Sequence, residues 1–278
     1  MGMSQLSELQ EKLLDMMKWF HEFCLTNKLR YFVLGGTMLG AVRHQGFIPW
    51  DDDIDVGLPR KDYERLKALL SHNNENWKYI LESPDMGAED YYYTYCKLYD
   101  TSTTYVEKKR RQVVRGIFMD IFPLDGCGNT YKETKIRFSK VNKKYNYALT
   151  RLAGVRKGRA LHKNVALIII QSIPKCIIDD HKIVENLDTI CKTIDYDEAE
   201  WISNFYGAWR FRETMERKIM GMPKLYRFED IEVYGAELCD EYLTHLYGDW
   251  RKLPPKDKQV THHDYVWIDL HKSYLDRE

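Results

Sequence analysis

The sequence predicts an α/β (α+β) fold, with helices and strands mixed along one chain. Three observations carry that expectation. Apolar residues recur at helical spacing near the N-terminus, short apolar runs punctuated by Gly, Pro and Asp follow as far as Gly126, and the texture from Tyr131 to Ile194 is long, basic and apolar. A chain of 278 residues makes one large or two modest domains and buries a sizeable core.

Each element has its own reason. Leu6, Leu9, Leu13, Met16, Met17, Phe20 and Phe23 recur at spacings of three and four, which predicts an amphipathic helix over 4–28. Tyr31 to Leu34 reads as a buried strand, Gly35-Gly36 as a turn, and Thr37 as the cap of a helix reaching Arg43. Ile54, Val56 and Leu58 alternate with Asp53, Asp55 and Gly57, the period of a half-buried strand. Residues 59–70 place Tyr63, Leu66, Leu69 and Leu70 on one helical face. Segments 77–82, 91–99 and 103–107 are β-like, and 116–122 is a strand closed by a turn at Pro123-Leu124-Asp125-Gly126. Helices fill 131–194, and a last one spans 236–247 before Gly248.

Composition excludes several classes. Forty-two basic residues balance forty-two acidic ones, so the overall excess of a nucleic-acid binder is missing and no nucleic-acid partner is expected. The most apolar stretch, 165–178, is broken by Gln171, Ser172, Pro174 and Lys175, which argues against a bilayer span. No secretory signal is visible, and the six scattered cysteines read as free thiols in a reducing compartment. A cytoplasmic location is the expectation.

The chemistry concentrates in three segments. Asp51-Asp52-Asp53-Ile54-Asp55 would, if extended, set Asp51, Asp53 and Asp55 on one side and turn Asp52 away. At roughly 6–7 Å and an effective dielectric near 20, each adjacent pair repels by about 2–3 kcal/mol. A divalent cation offsets that repulsion, and hard oxygen ligands suit Mg²⁺ or Mn²⁺; a solvated acidic loop or a helix-capping run is the alternative. Gly35-Gly36-Thr37 lets backbone amides approach a phosphate closely, or is an ordinary turn. Asp120 is a lone carboxylate between Met119 and Ile121, either a metal ligand or one half of an ion pair.

Together these segments resemble the nucleotidyltransferase pattern: Gly-Gly-Thr at a turn, an Asp-x-Asp strand and a third Asp on a neighbouring strand. The run LGGTMLGAVRHQGFIPWDDDIDVGLPRKDYERL (34–66) is similar to the signature of the LicD family. GIFMDIFPLDG (116–126), LYGDWRKLPP (246–255) and THHD (261–264) match its later blocks in order. The resemblance spans most of the chain and leaves about 131–200 weakly constrained.

The resemblance implies a nucleotidyltransferase-like catalytic core over 1–130, a helical region over 131–200 for acceptor or membrane contact, and a C-terminal part over 201–278 that completes the active site. It implies a transferase that moves phosphocholine from CDP-choline to a hydroxyl of a cell-surface glycan or teichoic-acid precursor, releasing CMP. Related fukutin-related proteins use CDP-ribitol. Asp53, Asp55 and Asp120 would be catalytic, and Asp51 would join them around the metal. Gly35, Gly36, Thr37, Arg43, His44, Lys97, Glu229, His262 and His263 are candidates for substrate contact. The general base is left open among Asp120, Asp55 and the two histidines.

Two rivals share these residues: NMP transfer from an NTP, and a non-catalytic scaffold in glycan assembly. Twenty tyrosines and seven tryptophans invite the idea of an aromatic cage for a quaternary ammonium, with Tyr91, Tyr92, Tyr93, Tyr95, Trp201, Tyr206 and Trp209 as members. Ordinary packing is the favoured reading of them. Lys108-Lys109-Arg110-Arg111 reads as a solvated loop, and Arg151, Arg156, Lys157 and Arg159 beside 165–178 suggest peripheral contact with a lipid-linked glycan acceptor.

Overall fold

Ser7 starts the first helix as its sequence dictates. Its hydroxyl accepts the Gln10 amide at 3.2 Å while the Gln10 side chain accepts the Ser7 amide at 3.1 Å, a reciprocal cap that opens α1 (Glu8–Thr26). Leu13, Leu14, Met16, Met17, Phe20 and Cys24 face the core. The computed structural model describes residues 6–71, 78–86, 91, 93–108, 112–152, 160–173, 179–261 and 265–276.

The chain continues through β1 (Phe32–Val33), α2 (Gly35–His44), β2 (Asp55–Pro59), α3 (Arg60–Ser71), β3 (Tyr79–Glu82), β4 (Cys96–Asp100), β5 (Thr104–Lys108), β6 (Gln112–Arg115) and β7 (Phe118–Gly128). Three helices follow, α4 (Tyr131–Leu152), α5 (Leu161–Ser172) and α6 (Asp180–Cys191). The last third holds β8 (Trp201–Ser203), a 3₁₀ turn (Arg210–Glu213), β9 (Thr214–Glu216), α7 (Arg217–Met220), β10 (Lys224–Phe228), β11 (Ile231–Gly235), α8 (Cys239–Tyr247) and β12 (Tyr265–Asp269). The mixed α/β class is as the sequence predicts.

The main sheet runs β1-β2-β7-β4-β3, and β8 and β9 extend it from the far half of β7. Among the described residues only β2 and β7 pair in parallel; the other neighbours in this sheet are antiparallel. Two smaller sheets, β10-β11 and β12-β5-β6, stand beside it. β2 is inside the sheet, and Val56, Gly57, Leu58 and Pro59 are all buried, so the half-buried alternation read from the sequence is corrected. Gly57 fits there because a Cβ would press on Leu34 and Leu124.

β7 also departs from expectation. It does not stop at Pro123 but runs on to Gly128. The Asp120 amide bonds Ile54 O on the β2 side, so by alternation residue 123 would aim its amide at the opposite neighbour. There β4 has ended at the Cys96–Ile121 pair and β8 begins only at Asp125–Ser203. Proline sits in the gap, where its missing N–H forfeits no ladder bond. Tyr91 and Tyr93–Tyr95 precede β4 instead of extending it, and α8 starts at Cys239, three residues later than the sequence suggests.

Candidate active site

Asp55 opens β2 and Asp120 lies near the start of β7, and the parallel register sets these two residues opposite each other. Backbone bonds fix the pair. Leu34 N donates to Asp55 O at 2.9 Å, and Asp120 N to Ile54 O at 2.9 Å. The Asp55 amide in turn donates to Thr37 Oγ1 at 2.9 Å. Thr37 therefore does not cap the helix. α2 begins at Gly35, with Leu34 in the cap position, and the buried Thr37 hydroxyl tethers the acidic segment to the first turn of α2.

Gly35 has φ +50°, a left-handed conformation that favours glycine, and its amide donates to Tyr242 Oη at 3.0 Å. Gly36 is required for a different reason. A Cβ there would lie 2.7 Å from Asp51 Oδ2, so a side chain at this position would push the Asp51 carboxylate away from the helix start.

A turn at Ile48–Asp51 leads into the acidic run, and Gln10 of α1 donates to Asp51 O at 3.0 Å. One carboxylate oxygen from each of Asp51, Asp52 and Asp53 lies within 4.8 Å of the others. The expected exclusion of Asp52 rested on an extended segment and is corrected. Asp55 has its carboxyl raised well above the usual range, first by burial, then by Asp53, Asp120, Asp51 and Glu213. Four acids bearing on one carboxyl, with a triad of hard oxygens beside it, is a donor set that fits a divalent cation.

Asp53, Asp55 and Asp120 open on one cavity of about 300 Å³, together with Gly35 and Gly36. Tyr95, Phe122, Tyr145, Tyr206 and Trp209 supply its aromatic lining, and Asn204 and Glu213 add polar groups. Three of these rings, Tyr95, Tyr206 and Trp209, belong to the set that the sequence assigns to packing; here they line a cavity. Tyr91, Tyr93 and Trp201 are not in that lining, and Tyr92 lies outside the described residues.

Several candidates are placed elsewhere. Lys97 is buried with its ammonium 2.5 Å from Asp120 Oδ1 and 3.3 Å from the centre of the Phe118 ring, so it neutralises Asp120 from behind and does not line the cavity. Tyr95 Oη donates to the other Asp120 oxygen at 3.2 Å. With both oxygens held, Asp120 is poorly placed to be the general base. Arg43 donates to Trp250 O at 2.9 Å, and the His44 ring meets Trp50 edge-on. Burial, then Arg43, hold the His44 imidazole below its ordinary pKa. Glu229 accepts the Phe47 amide at 2.9 Å and so braces the loop after α2. Neither Arg43, His44 nor Glu229 reaches the cavity lining. His262 and His263 lie outside the described residues.

Sequence reasoning missed Asn204, Tyr145 and Glu213. The Glu213 carboxyl is pushed up to about 7 by burial, against the opposing pull of the Trp209 amide, which donates to it at 3.3 Å. A carboxylate closing the aromatic, glycine-bearing segment Asn204 to Arg212 is the local signal that could have found it.

Comparison with known proteins identifies the family. The model of the LicD/FKTN/FKRP nucleotidyltransferase domain matches residues 28–151, which include Asp51, Asp52, Asp53, Asp55 and Asp120. The chain is 31% identical to the lipopolysaccharide cholinephosphotransferase LicD of Haemophilus influenzae over 93% of its own length and 96% of that protein's. A shorter stretch, 15% of the chain and 8% of the relative, is 50% identical to the ribitol 5-phosphate transferase FKRP of mouse, and likewise of human. With nearly the whole of both proteins aligned to the Haemophilus relative, this chain belongs to the LicD family and is a LicD-type phosphotransferase.

Proposed function

We propose that the protein transfers phosphocholine from CDP-choline to a hydroxyl of a cell-surface glycan or teichoic-acid precursor, releasing CMP, with Mg²⁺ or Mn²⁺ as cofactor. One observation carries the reading: a single cavity combines an acidic cluster and a helix start with a wall of five aromatic rings. The first suits a metal-bound diphosphate, and the second suits a quaternary ammonium. The name of the Haemophilus relative, a cholinephosphotransferase acting on lipopolysaccharide, supports the same choice of alcohol and of a glycan acceptor.

Asp51, Asp53 and Asp55 would hold the metal, with Asp52 in reach and Asp120 behind it. Bound there, the ion supplies charge stabilisation for the diphosphate and for the phosphoryl oxygens in transfer. The chain's own residues do the rest. The start of α2 presents its positive end to phosphate, and Tyr95, Phe122, Tyr145, Tyr206 and Trp209 hold the trimethylammonium group by their faces. The acceptor oxygen attacks the choline-bearing phosphorus as the bond from that phosphorus to the CMP oxygen breaks. Its proton passes to Glu213, whose pKa of about 7 suits a group that must take up and release a proton near neutrality.

The test is thermal stability with CDP-choline, CDP-ribitol, CDP-glycerol, CMP and several NTPs, each with Mg²⁺ or EDTA. A ligand at 100 times its dissociation constant adds about 2.7 kcal/mol to the native state. A Mg²⁺-dependent shift with CDP-choline above the other CDP-alcohols is expected. A preference for CDP-ribitol would replace the alcohol, and selective stabilisation by an NTP would replace the reaction with nucleotidyl transfer.

A further inference from the structure

α5 buries little of its apolar surface. Its sequence, LHKNVALIIIQS, has no acidic residue, and of its described side chains only Leu167 is fully buried. Leu161, Val165, Ile168 and Ile169 are 79%, 45%, 52% and 62% exposed. At 100° per residue these four fall within about 100° of arc, one continuous aliphatic stripe. His162 and Lys163 are exposed on the same helix.

The neighbouring helix repeats the theme. α5 packs on α4, and Gln171 Nε2 ties them by donating to Thr150 O at 3.0 Å. On α4, Ile136, Lys140, Lys143 and Tyr147 are exposed and fall within about 60° of arc at that same helical spacing. Lys132, Lys135 and Lys144 are exposed as well, against a single acid on the helix, Glu133. None of these lysines forms an ion pair among the described residues. Tyr145 lies half a turn round from the exposed stripe and lines the cavity.

We propose that the exposed faces of α4 and α5 form a docking surface for an anionic lipid bilayer, which seats the cavity at the membrane surface through α4. The charge pattern selects this occupant. The centre of a protein–protein interface is depleted in lysine, whereas aliphatic side chains interleaved with lysine, and with an amphipathic Tyr, match the boundary between acyl chains and acidic headgroups. No helix among the described residues is long and apolar enough to cross a membrane, so the contact is peripheral. This surface does not depend on which alcohol the donor carries. It deepens the proposed function only by favouring a lipid-linked acceptor.

The experiment is co-sedimentation of the full chain with two kinds of vesicle, pure phosphatidylcholine and phosphatidylcholine with phosphatidylglycerol. Three proteins are compared: wild type, Ile168→Asp with Ile169→Asp, and Lys140→Glu with Lys143→Glu. Circular dichroism and melting temperature check each fold, and light scattering gives each mass. Wild type is expected to bind the anionic vesicles, to release in high salt, and to bind the neutral ones weakly. Loss of a surface lysine lowers affinity about fivefold, so the lysine variant falls at least tenfold, and the aspartate variant does the same without melting earlier. Absence of binding to anionic vesicles, or unchanged binding by both variants, overturns the proposal. A wild-type dimer that Ile168→Asp with Ile169→Asp converts to monomer overturns it too, since a second copy would then be the occupant.

Discussion

Asp55 and Asp125 stand on the adjacent parallel strands β2 and β7, and burial raises the pKa of both carboxyls. Their surroundings are opposite. Asp125, fully buried, receives Arg60 Nε and Nη2 at 2.7 Å each, and Arg60 also bonds Asp188 of α6 at 2.7 Å. That fork ties the start of α3 to β7 and α6. Asp55 opens on a cavity, and the charges that follow burial in raising its pKa are all acidic. A buried acid gripped by a guanidinium holds architecture. One whose neighbouring charges are acids carries repulsion in addition to the cost of burial.

The sharpest way to break this contrast is to neutralise each acid. Asp53→Asn or Asp55→Asn is expected to cut turnover by about a thousandfold or more, because charge stabilisation of the transferring phosphoryl group is lost. The same Asp55→Asn change relieves repulsion, so its melting temperature in EDTA should equal or exceed that of wild type. Radiolabel transfer from the CDP-alcohol, paired with calorimetry, reads both. Full activity in both variants would remove the acidic cluster from the mechanism.

Arg60→Met should give the converse. It strands Asp125 and is expected to cost about 3–5 kcal/mol in urea denaturation, while turnover per folded molecule stays near wild type. Arg60→Met with Asp125→Leu should recover much of that stability, since two apolar groups replace two charges together. If Arg60→Met were silent in urea, the pair would be ornamental and the comparison with Asp55 would fail.

The two acids also differ in how legible they were. The Asp run, Asp120 and the two glycines are local signals, and the structure brings Asp53, Asp55, Asp120, Gly35 and Gly36 to one cavity. The loop geometry was not local. An extended segment would turn Asp52 away, yet one of its carboxylate oxygens lies within 4.8 Å of those of Asp51 and Asp53, and the turn leading into the run is met by Gln10, forty-one residues away in the chain. Lys97 and Glu229 look like substrate contacts in a sequence because their charge is visible and their partners are not. Lys97 is taken by Asp120 only once β4 pairs with β7, and Glu229 by Phe47 only once the β10–β11 connection meets the loop after α2. The aromatic wall was partly legible: Tyr95, Tyr206 and Trp209 stand among the seven rings read as a possible cage, but Phe122 and Tyr145 come from other segments, and nothing local favoured a cage over packing.

Glu213 sharpens the comparison with a titration. Its carboxyl moves from the usual 4.5 to about 7 on folding, so the native state holds more protons than the unfolded chain between those values. Stability contributed by the protonated acid is therefore complete below pH 4.5 and is lost as pH rises through 7, by about 3 kcal/mol in all. Urea midpoints in EDTA should fall from pH 5 to pH 8, and Glu213→Gln should flatten that slope. Asp55 and Asp125, both raised by burial, add to the slope with the same sign, and His44, held low by burial, opposes it. In turnover, the acidic limb of the pH profile should disappear in Glu213→Gln while the metal requirement stays.

The smallest expected effect is at Thr37, which joins the acidic segment to the helix start through one hydrogen bond to the Asp55 amide. Thr37→Val keeps the shape and removes the acceptor, leaving a partly buried N–H unmet at a cost of about 1–2 kcal/mol. A positioning role predicts more than that stability loss. If the bond aims Asp55, the concentration of Mg²⁺ needed for half-maximal activity should rise about tenfold, the range seen when supports of metal ligands are removed. Thr37→Ser, which restores the hydroxyl, should return both quantities toward wild type. A Val variant that loses stability but keeps its Mg²⁺ requirement would make Thr37 a matter of packing alone, and the acidic segment would then be aimed by the β2–β7 register without it.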